Sequence, residues 1–454
     1  MPRITSTESL ADATFIIQAV FVNVECERPS VFKLGAEILG LIFEESAKKE
    51  DVLRLALVCS FFRDTLQRLP RLFSAVCITT RPQNSRPPSS VFGLYFYSIR
   101  SSDHLSALLE CTMKVSLAVM INFPSPDNDD ESDEEQKRKD ALSMLSILCR
   151  HSDRWETLVI EDVGLFKPDE LDWQKMLPGP LGNLKRLSLR NNILPMMESM
   201  KHWLPQIRVL HVQPLDKDQL ETLSEAPWLL NIHDLILKCD DDASITSSTR
   251  KLLHACHTLR SLHIDGARGI RNTFKVVTLN SLTELTLNGA FPLTRLQAPA
   301  LTSLTVNDKV WLDRYDPDFP DSPYPCLRRL SIVSKDPQMF IKNIQSYDSL
   351  FLDFLDYDNS YERNWTEAAS GITARAVTIH RARFPEATFI SMLQVMSGVL
   401  EELELVDVRI NSNFIDLFSK RDRCVQTIRE FRFRNRQHQR WIWTPLVGWV
   451  FLGM

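Results

Sequence analysis

The residues able to do chemistry are scattered, and few stand at useful spacings. His254, Cys256 and His257 come nearest to a metal site. On a helix His254 and His257 share a face, but no second ligand pair lies at zinc spacing, and Cys239 is seventeen residues back across a polar stretch. No metal is expected. Asp240-Asp241-Asp242 and Asp353, Asp356 and Asp358 fall near the ends of expected strands, where carboxylates cap loops or hold a cation weakly. They lack the alternating oxygen ligands of an EF-hand loop. GxSxG, HExxH and HxE with PCxxC are absent. With 13 glycines in 454 residues there is neither GxGxxG nor GxxxxGK[ST]. The chain is therefore expected to be no enzyme and to carry no cofactor. Cys59 lies on an apolar helical pattern and is expected to be buried and inert.

Two charged segments remain. Arg429, Arg432, Arg434, Arg436 and Arg440 alternate with Phe431, Phe433 and Trp441. In a strand the phenylalanines point to the core, and Arg432 and Arg434 point out. Outward arginines at Arg432, Arg434 and Arg436 can hold an acidic or phosphorylated peptide, touch nucleic-acid phosphates, or be a solvated edge. The second segment has seven acidic residues between Asp127 and Glu135, followed by Lys137 to Lys139. Such a block repels itself, so residues 124–140 are expected to be a disordered acidic loop. Ser132, in DDESDEE, suits an acidophilic kinase and is a candidate phosphosite.

The elements that position these residues follow a repeat. From residue 150 onward a unit of the form LxxLxL returns twelve times, beginning with Trp155/Leu158/Ile160 and ending with Ile428/Phe431/Phe433. Successive units start 19 to 29 residues apart. One of the weaker units is Leu352/Leu355/Tyr357. Period-2 alternation at the end of each unit predicts a short strand, and the stretches between read as helix or turn, most clearly at Thr246–Cys256 and Glu386–Met396. A strand and a return every 20 to 29 residues is leucine-rich-repeat geometry, in which stacking buries the face that no unit can bury alone. The consensus asparagine after the strand is mostly missing, and Asn288 and Asn307 come near it. The expected architecture is an α/β chain: a short helical domain followed by an irregular leucine-rich-repeat solenoid, a horseshoe.

The rest of the chain divides around that array. Residues 1–30 form an N-terminal extension, and 31–78 read as a compact helical domain closing in an extended Val76–Ile78. Residues 79–149 hold a Pro- and Ser-rich linker and the first irregular repeats, with strands expected at Val91–Tyr97 and Val115–Phe123 and a helix at Ser106–Met113. The solenoid spans 150–440, and 441–454 is a C-terminal cap, uncharged and expected to be buried. Lys and Arg total 53 against 58 Asp and Glu, a net charge of -5 that gives no global nucleic-acid footprint. Nine scattered cysteines, none in a CxxC pair, fit a reducing compartment. No signal peptide or spanning helix is legible.

The segment from Leu34 to Ile78 resembles an F-box. It carries Leu34-Gly35, Glu37-Ile38-Leu39 and Ile42-Phe43, then Leu57-Val58-Cys59, Phe62-Arg63, Pro70 and Leu72-Phe73. It departs from the family at Gly35, where proline is usual, and at Phe73, where tryptophan is common. With the proline loop, His151 to Trp155 and the irregular repeats, the order is similar to F-box proteins with leucine-rich repeats from mushroom-type fungi. The resemblance implies the substrate-recognition subunit of an SCF-type ubiquitin ligase. Leu34, Glu37, Ile38, Leu39, Ile42, Phe43, Leu57 and Val58 would then bind a Skp1-like adaptor, and through it a cullin. The repeats would bind an unidentified protein substrate. Nucleic acid and membrane are not expected as partners, and the location implied is cytoplasmic or nuclear. The alternative is a non-catalytic repeat scaffold in which the helical segment is only an N-terminal cap.

Overall fold

Leucine, isoleucine or valine at every second position, with a small or charged residue between, favours a strand with one apolar face. The computed structural model describes residues 74–80, 92, 94, 96–112, 115–125, 131–167, 170–190, 204, 206–215, 217–239, 247–267, 276–289, 293, 296–307, 324–334, 348–354, 374–384, 386–396, 398–410, 427–434 and 440–453. The chain divides into two units: residues 1–123 with 128–148, and residues 124–127 with 149–454. Residues 31–73 of the expected helical domain lie outside the described residues.

In the first unit three parallel strands, β1 (Ala75–Thr79), β2 (Tyr97–Ile99) and β3 (Leu117–Asn122), form a sheet with β1 in the middle. β3 is buried at every residue. That is the pattern of a strand covered on both faces. Helix α1 (Ser102–Cys111) links β2 to β3, and the Ser101 hydroxyl caps it by accepting from the His104 N–H at 3.2 Å. Helix α2 (Glu131–Cys149) corrects the expected acidic loop. Its charges pair one turn apart: Arg138 with Glu134 at 2.6 Å and Lys139 with Glu135 at 2.9 Å. From Glu131 onward the block that looked self-repelling is thus the start of a helix with i,i+4 pairs, while Asp127, Asp129 and Asp130 lie outside the described residues. The second half of α2 turns Ala141, Met144, Leu145 and Leu148 inward.

The second unit begins with β4 (Trp155–Asp162), a four-residue helix α3 (Trp173–Met176), β5 (Arg186–Arg190) and β6 (Val209–Leu215). Then come α4 (Lys217–Ser224), β7 (Asp234–Cys239), α5 (Ser247–Ala255) and β8 (Ser261–Ala267). After these lie β9 (Val277–Thr278), β10 (Glu284–Gly289), β11 (Leu296–Gln297), β12 (Ser303–Asn307) and β13 (Arg329–Ser334). The chain continues through β14 (Ser349–Phe354), β15 (Ala376–His380), β16 (Arg383–Phe384), α6 (Glu386–Met396) and β17 (Glu402–Val406). It closes with β18 (Arg409–Ile410), β19 (Glu430–Arg434), β20 (Arg440–Thr444) and β21 (Gly448–Gly453).

Twelve of these strands, from β4 to β19, pair in sequence order as a parallel ladder. The two-residue strands form two separate ladders, β9 with β11 and β16 with β18. Every expected unit supplies one long strand, so this is a leucine-rich-repeat-like solenoid. One unit shifts. In β14 the pair in register with Leu330/Ile332 and Val377/Ile379 is Leu350/Leu352, five residues ahead of the expected Leu355/Tyr357. Two core rows run along the array, from Leu158 to Phe431 and from Ile160 to Phe433. All of the first row and nearly all of the second are buried.

Backbone bonds lock the register where each strand begins. The Lys185 carbonyl accepts from the N–H groups of both Arg208 and Val209, at 2.9 and 3.0 Å. Equivalent double acceptance recurs at Arg208, His233, Arg260, Thr283, Thr302, Arg328, Asp348, Arg375 and Glu401. At the last five of these positions the residue types alternate in charge, Arg328, Asp348, Arg375, Glu401 and Arg429, and Arg429 pairs with Glu401 at 3.6 Å. Opposite charges on neighbouring strands favour that pairing.

The C-terminal segment is a further correction. Antiparallel β20 and β21 extend the sheet as a hairpin, and Leu446 is 96% exposed, so 441–454 is not a buried cap.

The two faces of one strand should respond differently. Leu304→Ala in β12 removes a fully buried core side chain and is expected to destabilise the chain by about 2–5 kcal/mol in urea unfolding. Thr305→Ala, beside it on the other face, should change stability by less than about 0.5 kcal/mol.

Candidate functional site: the open face of the strand ladder

From β8 to β17 the strands alternate buried core positions with partly exposed ones. The partly exposed side chains form three rows on the face away from the core. The middle row runs His211, Ile236, His263, Thr286, Thr305, Ser331, Phe351, Thr378, Glu404, Arg432. A strand contributes to this face whatever lies between its core residues, so packing places few demands on it.

Near β5 and β6 the face is a polar cluster. Arg190 lies 3.2 Å from Glu161, and the Gln213 amide, turned with its oxygen toward Arg190, accepts from Nε at 2.7 Å. His211 Nδ1 is 3.4 Å from the Ser188 hydroxyl, and Ser188 itself is fully buried. Burial first, and then the Arg190 charge, push the His211 pKa down to about 4. Burial also lowers His263 and His380, against the opposing pull of nearby aspartates. All three imidazoles are thus held toward the neutral form near pH 7.

Further along, side-chain amides form a chain across three strands. His263 Nε2 is 3.0 Å from Asn288 Nδ2, and Asn307 donates to the Asn288 carbonyl oxygen. These asparagines follow directly on the last core residue of their strands and lie on the open face. They are not the consensus asparagine that their position in the repeat suggested. At β14 and β15, Phe351 meets the His380 ring edge-on with centroids 4.7 Å apart. Arg381 grips Asp353 with two bonds of 2.6 Å, so that carboxylate is already engaged. That grip also holds Arg381 at φ 52°, a conformation rare for a side chain of this kind.

At the far end Ala376, Thr378, Glu402, Glu404, Glu430 and Arg432 line a shallow open hollow. Arg432 Nε donates to Glu430 at 2.5 Å, and Glu430, Glu404 and Glu402 together raise its pKa. Arg429 pairs with Glu401 at 3.6 Å. Arg432 and Arg434 do share β19, as expected, but Arg432 sits among three carboxylates that sequence reasoning passed over. The signal was present: Glu402 and Glu404 alternate around Leu403 as Arg432 and Arg434 do around Phe433. Arg436 lies outside the described residues.

The remaining candidates do not converge. Cys256 is fully buried with its thiol pushed up to about 12 by burial, whereas His254 and His257 are exposed. Among the described residues no group of three or more His, Cys, Asp or Glu is placed to hold a metal. The backbone at Ser132 lies in the first turn of α2. Leu34, Glu37, Ile38, Leu39, Ile42, Phe43, Leu57, Val58, Cys59 and Asp240 to Asp242 lie outside the described residues, as do Asp356 and Asp358. Among the described residues no helix is long and apolar enough to cross a membrane.

No protein-family model matches the chain, and no curated protein matches it. Among solved structures it is similar to TLR13, a leucine-rich-repeat protein, in the crystal structure of a TLR13–ssRNA13 complex. The TM-score is 0.36 and the identity 13%, over 63% of this chain. The chain spans 42% of that structure's length.

These findings correct the expected function. No F-box model matches residues 31–78, and the role in a ubiquitin ligase falls with it, together with the Skp1-like adaptor and the cullin. The physical reason lies in the residues that carried the resemblance. Leucine, isoleucine and phenylalanine at helical spacing, with an acid nearby, occur in any pair of amphipathic helices. Gly35 stands where the family has its most constraining residue, a proline. The exclusion of nucleic acid is withdrawn as well. The net charge of -5 on which it rested does not describe individual patches.

The neutral His211 gives the fold a measurable pH dependence. Its folded value of about 4 lies below the ordinary 6.5, so the unfolded chain binds more protons between those values. Its contribution to stability is complete above pH 6.5 and is lost as pH falls toward 4. His211→Gln should flatten that part of the stability–pH curve, read from urea midpoints at stepped pH.

Proposed function

We propose that this chain is a non-catalytic leucine-rich-repeat scaffold that binds a protein partner on the open face of the ladder, centred on β10 to β13. One observation carries the reading. The core-facing positions of these strands are uniformly aliphatic and buried, while the opposite face offers Thr286, Asn288, Thr305, Asn307 and Ser331, partly exposed and unused in packing. Small hydroxyls and amides at a strand spacing of about 4.8 Å let another backbone approach closely and offer it hydrogen bonds. Phe351 and the neutral His263 flank this floor and supply apolar and polar anchors.

The test is a triple variant, Thr286→Arg, Thr305→Glu and Ser331→Arg, whose charges alternate across the three neighbouring strands, compared with the unaltered chain for the proteins each retains from its source extract. The variant is expected to keep its unfolding midpoint, because surface changes move stability by less than about 0.5 kcal/mol each. It should lose the partners that the unaltered chain holds. Retention of the same partners by the folded variant overturns the proposal. Tight, salt-dependent binding of single-stranded oligouridylate by the unaltered chain would move the reading to nucleic acid.

A further inference from the structure

The strand at the end of the sheet does not look like an edge. β21 pairs with β20 on one side and, among the described residues, with nothing on the other. Of the nine large apolar side chains exposed among the described residues, five cluster here: Leu446, Val447, Val450, Phe451 and Leu452. No charged residue occurs between Trp441 and Met454. Edge strands are usually guarded by lysine, proline or a bulge. Here the bulge comes at Arg440/Trp441, at the far end of the hairpin's pairing.

Both faces of β21 are apolar. Phe451 continues a core row of the solenoid: Leu405 pairs with Phe433, Phe433 with Trp441, and Trp441 with Phe451, its ring 4.6 Å away. Leu405 is fully buried, yet Phe451, three strands on, is 49% exposed. On the opposite face Val450 continues the open-face row through Ile442. A strand apolar on both faces is the pattern of a strand inside a sheet.

We infer that β21 is the interface of a homodimer, pairing antiparallel with β21 of a second copy. A two-fold axis normal to the sheet makes each free edge the partner of the other and extends the core row without a break. With the axis at Phe451, that residue meets its own counterpart and Val450 meets Leu452. An uncharged strand is self-complementary in this arrangement, whereas a charged partner strand would find nothing to pair with. The exposed side chains and edge would bury roughly 1,000 Å² over both copies, just below the ~1,200 Å² at which stable specific interfaces begin. The dimer is therefore weak and depends on concentration.

Sedimentation of the full chain tests this. The expected result is a mass near twice the monomer at tens of micromolar, falling to the monomer on dilution. Val450→Lys with Leu452→Lys should weaken association on the order of tenfold or more, because charge on an edge strand opposes pairing. Circular dichroism would show whether that variant folds. A second measurement does not depend on its folding. In a Cys326→Ser background, which removes an exposed thiol, Val450→Cys and Phe451→Cys are oxidised separately. In either centred register one of the two lies on the axis, close enough to its counterpart for an inter-chain disulfide. A monomer at every concentration overturns the inference. So does a dimer that is unchanged in the folded lysine variant, or one that yields no disulfide at either position.

Discussion

Every strand of the solenoid must set its two core residues beside the two of the strand before it. Side chains alternate with a period of two, so a slip of one residue would turn the leucines out and the polar residues in. The pairing of Leu285 with Leu304, and Leu304 with Leu330, is therefore a constraint on the whole array. The paired hydrogen bonds to the leading carbonyls from β5 to β17 enforce it locally, and the Arg429–Glu401 pair reinforces it at the surface. Loops between strands can vary in length so long as each return delivers its leading residue to the carbonyl waiting for it. This is why units 19 to 29 residues long stack in one ladder.

The same constraint determines where function can reside. Core positions have no latitude, and the last five leading positions carry alternating charges. The open-face rows are left free to vary, and they do: hydroxyls on one strand, an imidazole or an arginine among carboxylates on the next. In the proposed reading their chemistry is that of recognition. His211 and His263 are neutral, Asp353 is held by Arg381, and Arg432 by Glu430. Among the described residues no pair of groups is pushed apart in pKa and set beside an open position, as acid–base work would need.

Much of the architecture was legible in the sequence, because a core row leaves a periodic trace. The exceptions have physical causes. In SLFLDFLDY the apolar alternation offers two registers, and only the neighbouring strands select Leu350 and Leu352. The acidic block was misjudged because composition counts charges without asking what stands four residues on; Glu134 and Glu135 each have a base there. The open face was less legible. Which outward residues meet depends on which strands adjoin, so Glu402, Glu404 and Arg432 converge from positions nearly thirty residues apart. The adaptor site read into residues 34–58 rested on helical spacing, a pattern that amphipathic helices share.

A ladder built on this constraint has no internal reason to stop, since each new strand offers its outer edge to another. Reversal of direction after β19 ends the leucine repeat but not the sheet, because antiparallel pairing uses the same edge. The aromatic pairs Phe431 with Trp443 and Phe433 with Trp441 carry the core rows across that reversal. The apolar demand is thus passed on to β21, whose GWVFLG sequence meets it on one side and hands it on at the other. A charged β21 would oppose further pairing, whereas this uncharged one does not.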